Sequence, residues 1–221
     1  MLRLTLTGDE LDGFTSLSPD DHIKVFSGGV GGAELERRDY TPRRYDPRKG
    51  ELDIDFAMHD AGPITDWARM ANPGDAAEIG GPRGSAVVPY DFDWWLLIGD
   101  ETALPAIGRR LEEMPAGTLV TSIIAVTDGA EEQSLPTKAD ARTIWVHRPA
   151  ARDADAAPLL SASKAVRLPP GEGFIWIAAE AGVTRALRRY VLEDLKHPAR
   201  WMKASGYWVK GLADTVEKFD D

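Results

Sequence analysis

The sequence predicts a small antiparallel β-barrel followed by a doubly wound parallel α/β domain. Two observations lead to this class. In the first 91 residues the apolar runs alternate with polar residues, which makes strands with one wet and one buried face. From residue 92 onward the apolar runs are continuous and alternate with helical stretches, as in βαβ units whose strands are covered on both faces. At 221 residues the chain is long enough for two small domains, placed here at 1–91 and 92–221.

In the first part, Leu2–Thr7, His22–Phe26 and Glu51–Phe56 carry the alternation, separated by glycines, prolines and aspartates. Gly28–Gly32 matches neither GxGxxG nor GxxxxGK[ST] and reads as a hairpin connection. One helix is expected over Gly62–Ala71, with a proline near its start and Asn72-Pro73-Gly74 after its end. Its free N–H groups and positive dipole end could hold a phosphate. Arg37–Lys49 carries six basic residues against Asp39 and Asp46 within an acidic background, which is either a solvated strand or an anion site.

In the second part, Trp94–Ile98, Leu119–Val126, Thr143–Val146 and Phe174–Ala179 read as buried strands. Helices are expected over 102–114, 159–166 and 183–195. Ala150–Ala157 reads as a surface linker, and residues 212–219 as a short closing helix. Parallel sheets take ligands at the carboxyl ends of their strands, and the first such end here is Gly99–Pro105.

Composition excludes several classes. There is no cysteine, hence no disulfide framework, thiolate metal site or cysteine nucleophile. A net charge of −10 disfavours general nucleic-acid and anionic-membrane binding. No apolar run is long enough to span a bilayer, and residues 1–15 lack the pattern of a secretory signal, so a cytoplasmic protein without membrane insertion is expected. Neither GxSxG nor HExxH occurs, and His22, His59, His147 and His197 are scattered.

Several ordered motifs carry a family resemblance: Arg38-Asp39-Tyr40-Thr41-Pro42-Arg43, His59 with Gly62-Pro63 and Trp67-Ala68, Gly80-Gly81-Pro82-Arg83-Gly84-Ser85, Leu97–Ala106 with its GDETALPA core, Trp176–Glu180, and Gly206-Tyr207-Trp208 with Gly211. Together they resemble the siderophore-interacting proteins, flavin-dependent ferric-siderophore reductases of the ferredoxin-reductase-like superfamily. The resemblance implies an FAD-binding barrel, lacking the family's first strand, and a nicotinamide-nucleotide-binding α/β domain. It places Arg38 on the FAD diphosphate, Tyr40 along the isoalloxazine and ribityl chain, and Thr41 near flavin N5 as a hydrogen-bond donor, with Pro42 beside them. Gly62, Pro63, Ile64 and Thr65 would bring a helix start to the diphosphate, and His59 would stand just before that turn.

For NADH or NADPH the resemblance points to Asp100, Glu101, Thr102 and Ala103, with Ala179 and Glu180 facing them. Asp128 ends the next strand, where a carboxylate suits a ribose 2′-OH. With Glu131 and Glu132 it leans toward NADH, unless Arg142 or Arg148 lies close. Arg43, Arg44, Arg48 and Lys210 are candidates for a basic mouth that receives an anionic ferric siderophore. Val209 stands where the family commonly has arginine after the tryptophan. No general acid or base is expected, because the flavin carries the difficult step. The chain is expected to act as a monomer. Two other readings stand: a flavin- or siderophore-binding protein without turnover, and a general NAD(P)H-dependent flavoprotein reductase with another acceptor.

Overall fold

The computed structural model describes residues 1–26, 36–58, 62–212 and 215–219. The Gly28–Gly32 segment and His59 lie outside them. The chain divides into two compact units, Met1–Val88 and Pro89–Asp221.

The first unit holds β1 (Leu2–Thr7), β2 (Ile23–Phe26), β3 (Arg37–Tyr40), β4 (Pro42–Asp46), β5 (Glu51–Phe56), helix α1 (Pro63–Met70) and β6 (Glu78–Gly80). The expected barrel takes the form of two three-stranded antiparallel sheets, ordered β1-β5-β4 and β3-β2-β6. Ile23 and Val25 of β2, Leu52, Ile54 and Phe56 of β5, and Ile64 and Ala68 of α1 share one core. α1 starts where Pro63 supplies a preset φ without losing a needed N–H, and Gly62 caps it in an extended conformation.

The alternation in β5 places Leu52, Ile54 and Phe56 inward, but its other face is not wet. Asp53 and Asp55 are 4% and 5% exposed. Their cross-strand neighbours close over them. Arg3, opposite Asp55, donates from Nε at 2.6 Å and Nη2 at 2.8 Å. Thr5, opposite Asp53, donates from Oγ1 at 2.6 Å, and Arg44 approaches Asp53 from β4 at 3.2 Å. Directly opposed charged pairs stabilise a sheet by about 0.2–1 kcal/mol each, and here they replace water as the cover of the outer face.

The second unit holds β7 (Trp94–Gly99), α2 (Leu104–Glu113), β8 (Leu119–Val126), β9 (Asp140–His147), α3 (Ala157–Ala165), β10 (Gly173–Glu180), α4 (Ala181–Arg189), β11 (Met202–Trp208) and β12 (Glu217–Lys218). α4 continues into a π-helical turn at Tyr190–Asp194. The sheet order is β12-β11-β10-β7-β8-β9, parallel except for β12. The order reverses between β7 and β10, the arrangement of a doubly wound sheet. Every residue of β7 and of β10 is buried, which explains their unbroken apolar runs.

Two expectations are corrected. Residues 217–218 form a strand against Ser205 and Gly206 of β11, not part of a closing helix. Arg185 of α4 holds both carboxylate oxygens of Glu217 at 2.7 Å and so fixes it at the sheet edge. Ala150–Ala157 is not a plain surface linker: it makes a 3-10 turn over Ala150–Arg152, buries Asp153 and enters α3.

Gly99 ends β7 where α2 packs on the sheet. A Cβ there would lie 2.6 Å from Ala103 Cβ, 2.9 Å from Ala178 O and 3.1 Å from Ile107 Cδ1. Gly99→Ala is therefore expected to cost about 2 kcal/mol through overpacking, read as a lower urea midpoint with unchanged slope. An unchanged midpoint would show that α2 can retreat at no cost.

Candidate functional site

In the first unit, two segments far apart in sequence meet at the start of α1. The first hydrogen bond of that helix runs from Asp66 N to Gly62 O, at 2.9 Å, so the Ile64 and Thr65 N–H groups have no intrahelical acceptor. Among the described residues, no side-chain cap is seen at this start. The guanidinium of Arg38 lies against Gly62: a Cβ there would be 2.9 Å from Arg38 Nη2 and 3.1 Å from Cζ. A cation, a helix dipole and N–H groups without an intrahelical acceptor meet at one point, which suits an anion, and a guanidinium fork with main-chain donors suits a diphosphate. The residues present thus fit the phosphate part of FAD.

Tyr40 extends this surface. Its ring packs on Phe56 with centroids 4.5 Å apart. Its hydroxyl shares a hydrogen bond with Thr65 of α1. Burial pushes the phenol up from its ordinary value, while Thr65 and the Arg38 charge pull it back, so the hydroxyl stays neutral at physiological pH. Thr41 and Pro42, which begin the return into β4, are buried, and Ile64 points into the core. Ile64 can therefore serve a ligand only through its main chain.

The basic candidates divide. Arg43 is buried beside Asp55, with Nε 3.8 Å from Oδ2, and is not part of an exposed mouth. Arg44 is exposed while reaching back to Asp53. Arg48 is exposed in the turn between β4 and β5. Lys210 in the second unit is exposed along its stem, but its Nζ donates to Asp153 Oδ1 at 2.7 Å.

In the second unit, the carboxyl ends of the strands carry a knot of charged groups. Asp100 is 1% exposed and accepts from four donors: Thr102 N at 2.9 Å and Thr102 Oγ1 at 2.5 Å on Oδ1, Glu180 N at 3.0 Å and Trp208 Nε1 at 2.9 Å on Oδ2. One side chain thus joins the turn after β7 to the ends of β10 and β11. Glu180 caps α4 by accepting from Val183 N at 3.0 Å, and its other oxygen lies 3.4 Å from Lys210 N. Ala103 and Ala179 are fully buried and shape the packing. Asp128, exposed beyond β8, accepts from Ala130 N at 2.8 Å.

Sequence reasoning missed the role of Arg148. It is 2% exposed and donates from Nη2 to Glu101 Oε2 at 2.8 Å, so it is committed inside the fold. Arg142 stands opposite Thr121, well before the carboxyl ends of β8 and β9. Neither arginine offsets the acidic group at Asp128, Glu131 and Glu132; Glu132 itself pairs with His147 at 2.7 Å.

Burial, then the neighbouring Asp100, pushes Glu101 up to about 7, with Arg148 pulling the other way. The folded chain therefore holds this proton more tightly than the unfolded chain, whose glutamate titrates near 4.5. The resulting stabilisation is complete below pH 4.5 and is lost as pH rises through about 7. Glu101→Gln removes this dependence. Its stability relative to the parent is expected to rise by on the order of 2 kcal/mol between pH 5 and pH 8, measured by urea unfolding. Parallel profiles for the two proteins would contradict this.

Among the described residues, no helix is long and apolar enough to cross a membrane, and no group of three or more His, Cys, Asp or Glu is placed to hold a metal ion.

Both units have counterparts among known proteins. Residues 29–86 match the family model of the siderophore-interacting FAD-binding domain, and residues 92–211 that of the siderophore-interacting protein. The NADPH-dependent ferric-chelate reductase of Escherichia coli (strain K12) is 36% identical over 227 residues, which cover 93% of this chain and 86% of that protein. Ferric vibriobactin reductase ViuB of Vibrio cholerae is 28% identical, covering 96% of this chain and 84% of its own. The crystal structure of a siderophore utilization protein from T. fusca superposes with a TM-score of 0.88 at 34% identity, over 96% of this chain and 88% of that one. With both units matched and a relative above one-third identity, the chain belongs to the siderophore-interacting protein family.

Proposed function

We propose that the chain is an FAD-dependent ferric-siderophore reductase that takes electrons from NADH or NADPH and releases iron as Fe(II). The observation that carries this reading is the meeting of Arg38 with the start of α1, inside a segment that matches a siderophore-interacting FAD-binding domain. The names of the Escherichia coli and Vibrio cholerae relatives support the substrate class.

Bound FAD supplies the conversion of a two-electron hydride donor into one-electron steps. The chain's own residues supply binding and placement. Arg38 and the N–H groups of Ile64 and Thr65 neutralise the diphosphate. The Tyr40 ring borders the flavin's path, and the Thr41 hydroxyl is the candidate donor at the flavin's reactive edge. The carboxyl ends of β7 and β10, at the reversal of strand order, receive the nicotinamide nucleotide. Asp128 suits a ribose 2′-OH and opposes a 2′-phosphate, which favours NADH. Arg44, Arg48 and Lys210 draw an anionic ferric siderophore toward the protein. Each hydride serves two ferric ions, and the Fe(II) formed is a poorer partner for hard oxygen ligands than Fe(III). The cytoplasm, where nicotinamide nucleotides are kept reduced, is the compartment that suits this chemistry.

The test is an anaerobic titration of the FAD-loaded chain, first with NADH or NADPH and then with a ferric siderophore. Bleaching of the flavin by a nucleotide, followed by recovery with iron, is expected. A bound flavin that neither nucleotide bleaches would overturn the donor, and a reduced flavin that ferric siderophore leaves reduced would overturn the substrate.

A further inference from the structure

Arg148 follows β9, yet it reaches the turn after β7, with β8 between those strands in the sheet. Its Nη2 lies 2.8 Å from Glu101 Oε2 and 3.9 Å from Asp100 Oδ2. Its Nη1 is buried without a hydrogen-bond partner among the described residues. Asp100 is already saturated by Thr102, Glu180 N–H and Trp208, so the charge of the arginine serves Glu101.

Around Glu101 stand Asp100 from its own turn, Arg148 from the end of β9, and Asp153 from the segment before α3, which pairs with Lys210. Glu180, at the end of β10, touches the same knot through its N–H on Asp100. All of this sits at the point of strand-order reversal, where doubly wound sheets receive a dinucleotide. The ring of a reduced nicotinamide is neutral before it gives up hydride and carries one positive charge afterwards. A carboxylate held beside it binds the cationic product, and the transition state leading to it, better than the neutral reactant.

Building on the donor side of the function proposed above, we propose that Arg148 is a positioning residue for hydride transfer: it holds the Glu101 carboxylate at the switch point, where that carboxylate stabilises the positive charge developing on the donor's pyridine ring. The hydride leaves the ring with both electrons of its C–H bond and passes to FAD, and the ring keeps the charge. No further reductant is required.

The test uses the FAD-loaded full chain and two unreactive probes, the oxidised dinucleotide, with a cationic ring, and its tetrahydronicotinamide analogue, with a neutral ring. At pH 8 the parent is expected to bind the cationic probe about tenfold more tightly than the neutral one, with the preference fading below a midpoint near 7. Glu101→Gln should abolish both the preference and its pH dependence. Arg148→Met should move the midpoint upward, because Glu101 loses the cation that favours its ionised form, and Arg148→Lys should restore part of the shift. The double variant Arg148→Met/Glu101→Gln should match Glu101→Gln alone.

If Arg148→Met does not fold, Arg148→Lys and Glu101→Gln carry the same comparison. A preference unchanged in Glu101→Gln, or a midpoint unmoved by both Arg148 variants, would overturn the inference. Dithionite reduction of the flavin followed by ferric siderophore bypasses the donor and should proceed equally in all variants. Failure of that bypass in the parent would instead overturn the reductase reading.

Discussion

Arg38→Ala is expected to weaken FAD binding about a hundredfold. A hundredfold loss is about 2.7 kcal/mol, which lies within the range of about 1.5–3 kcal/mol for a hydrogen bond to a charged group. The helix start remains, so binding should be weakened and not abolished. Arg38 lies outside the apolar core of its unit, and the variant should unfold at nearly the same urea concentration as the parent. Quenching of flavin fluorescence on titration into flavin-free protein measures the affinity. A dissociation constant within a factor of three of the parent would show that Arg38 does not meet the diphosphate. Arg38→Lys should recover only part of the loss, because an ammonium cannot present the fork.

Asp100→Ala is expected to lower stability by about 4 kcal/mol. The substitution leaves the buried Glu180 N and the partly buried Trp208 Nε1 and Thr102 N without their acceptor. It also removes a negative charge close to the buried Arg148. Stranded donors cost about 1–3 kcal/mol each before relaxation, while Arg148 keeps its closer partner Glu101. Asp100→Asn preserves shape and two accepting positions and should fall between the parent and Asp100→Ala. Equilibrium unfolding in urea decides. A loss below 1 kcal/mol for Asp100→Ala would mean that the strand ends are held together by their apolar packing alone.

The fold was legible wherever the hydrophobic pattern had one cause. Trp94–Ile98 and Phe174–Ala179 are apolar throughout because both of their faces are covered, and each lies within a strand. Glu51–Phe56 alternates and is a strand, but the pattern reveals only that Asp53 and Asp55 point away from the core. Their burial depends on Arg3, Thr5 and Arg44, which register alone brings opposite them. Arg37–Asp46 makes two strands with no apolar alternation at all, since its side chains serve ion pairs and the anion site. β11 was invisible for a related reason: its Lys203, Ser205 and Gly206 dilute the apolar signal.

The candidate site was legible in the same uneven way. The Gly62-Pro63 helix start could be read as phosphate-seeking from local chemistry, Arg38 was assigned to the diphosphate only through the family resemblance, and their meeting is a matter of tertiary structure. Arg148 could not be read as a partner of Glu101, because 47 residues and an intervening strand separate them. Arg43 misled because a basic residue in a basic run gives no sign of the buried aspartate beside it.

The strand order has a consequence for how the protein is made on the ribosome. The described elements of the first unit all precede Pro89 and can fold while the second is still being synthesised. The second unit has no such freedom. β7 emerges first, but it is the middle strand of the sheet, and β10, which covers one of its edges, arrives about eighty residues later. The Trp208–Asp100 bond spans 108 residues, so the knot that ties the strand ends closes only when nearly the whole chain has been translated. Until then a strand reading Trp-Trp-Leu-Leu-Ile offers an open edge to any neighbour. The acidic, helix-flanked segments synthesised between β7 and β10 are what the nascent chain has to shield it, and slow synthesis through residues 100–173 would lengthen the interval in which chaperone capture competes with aggregation.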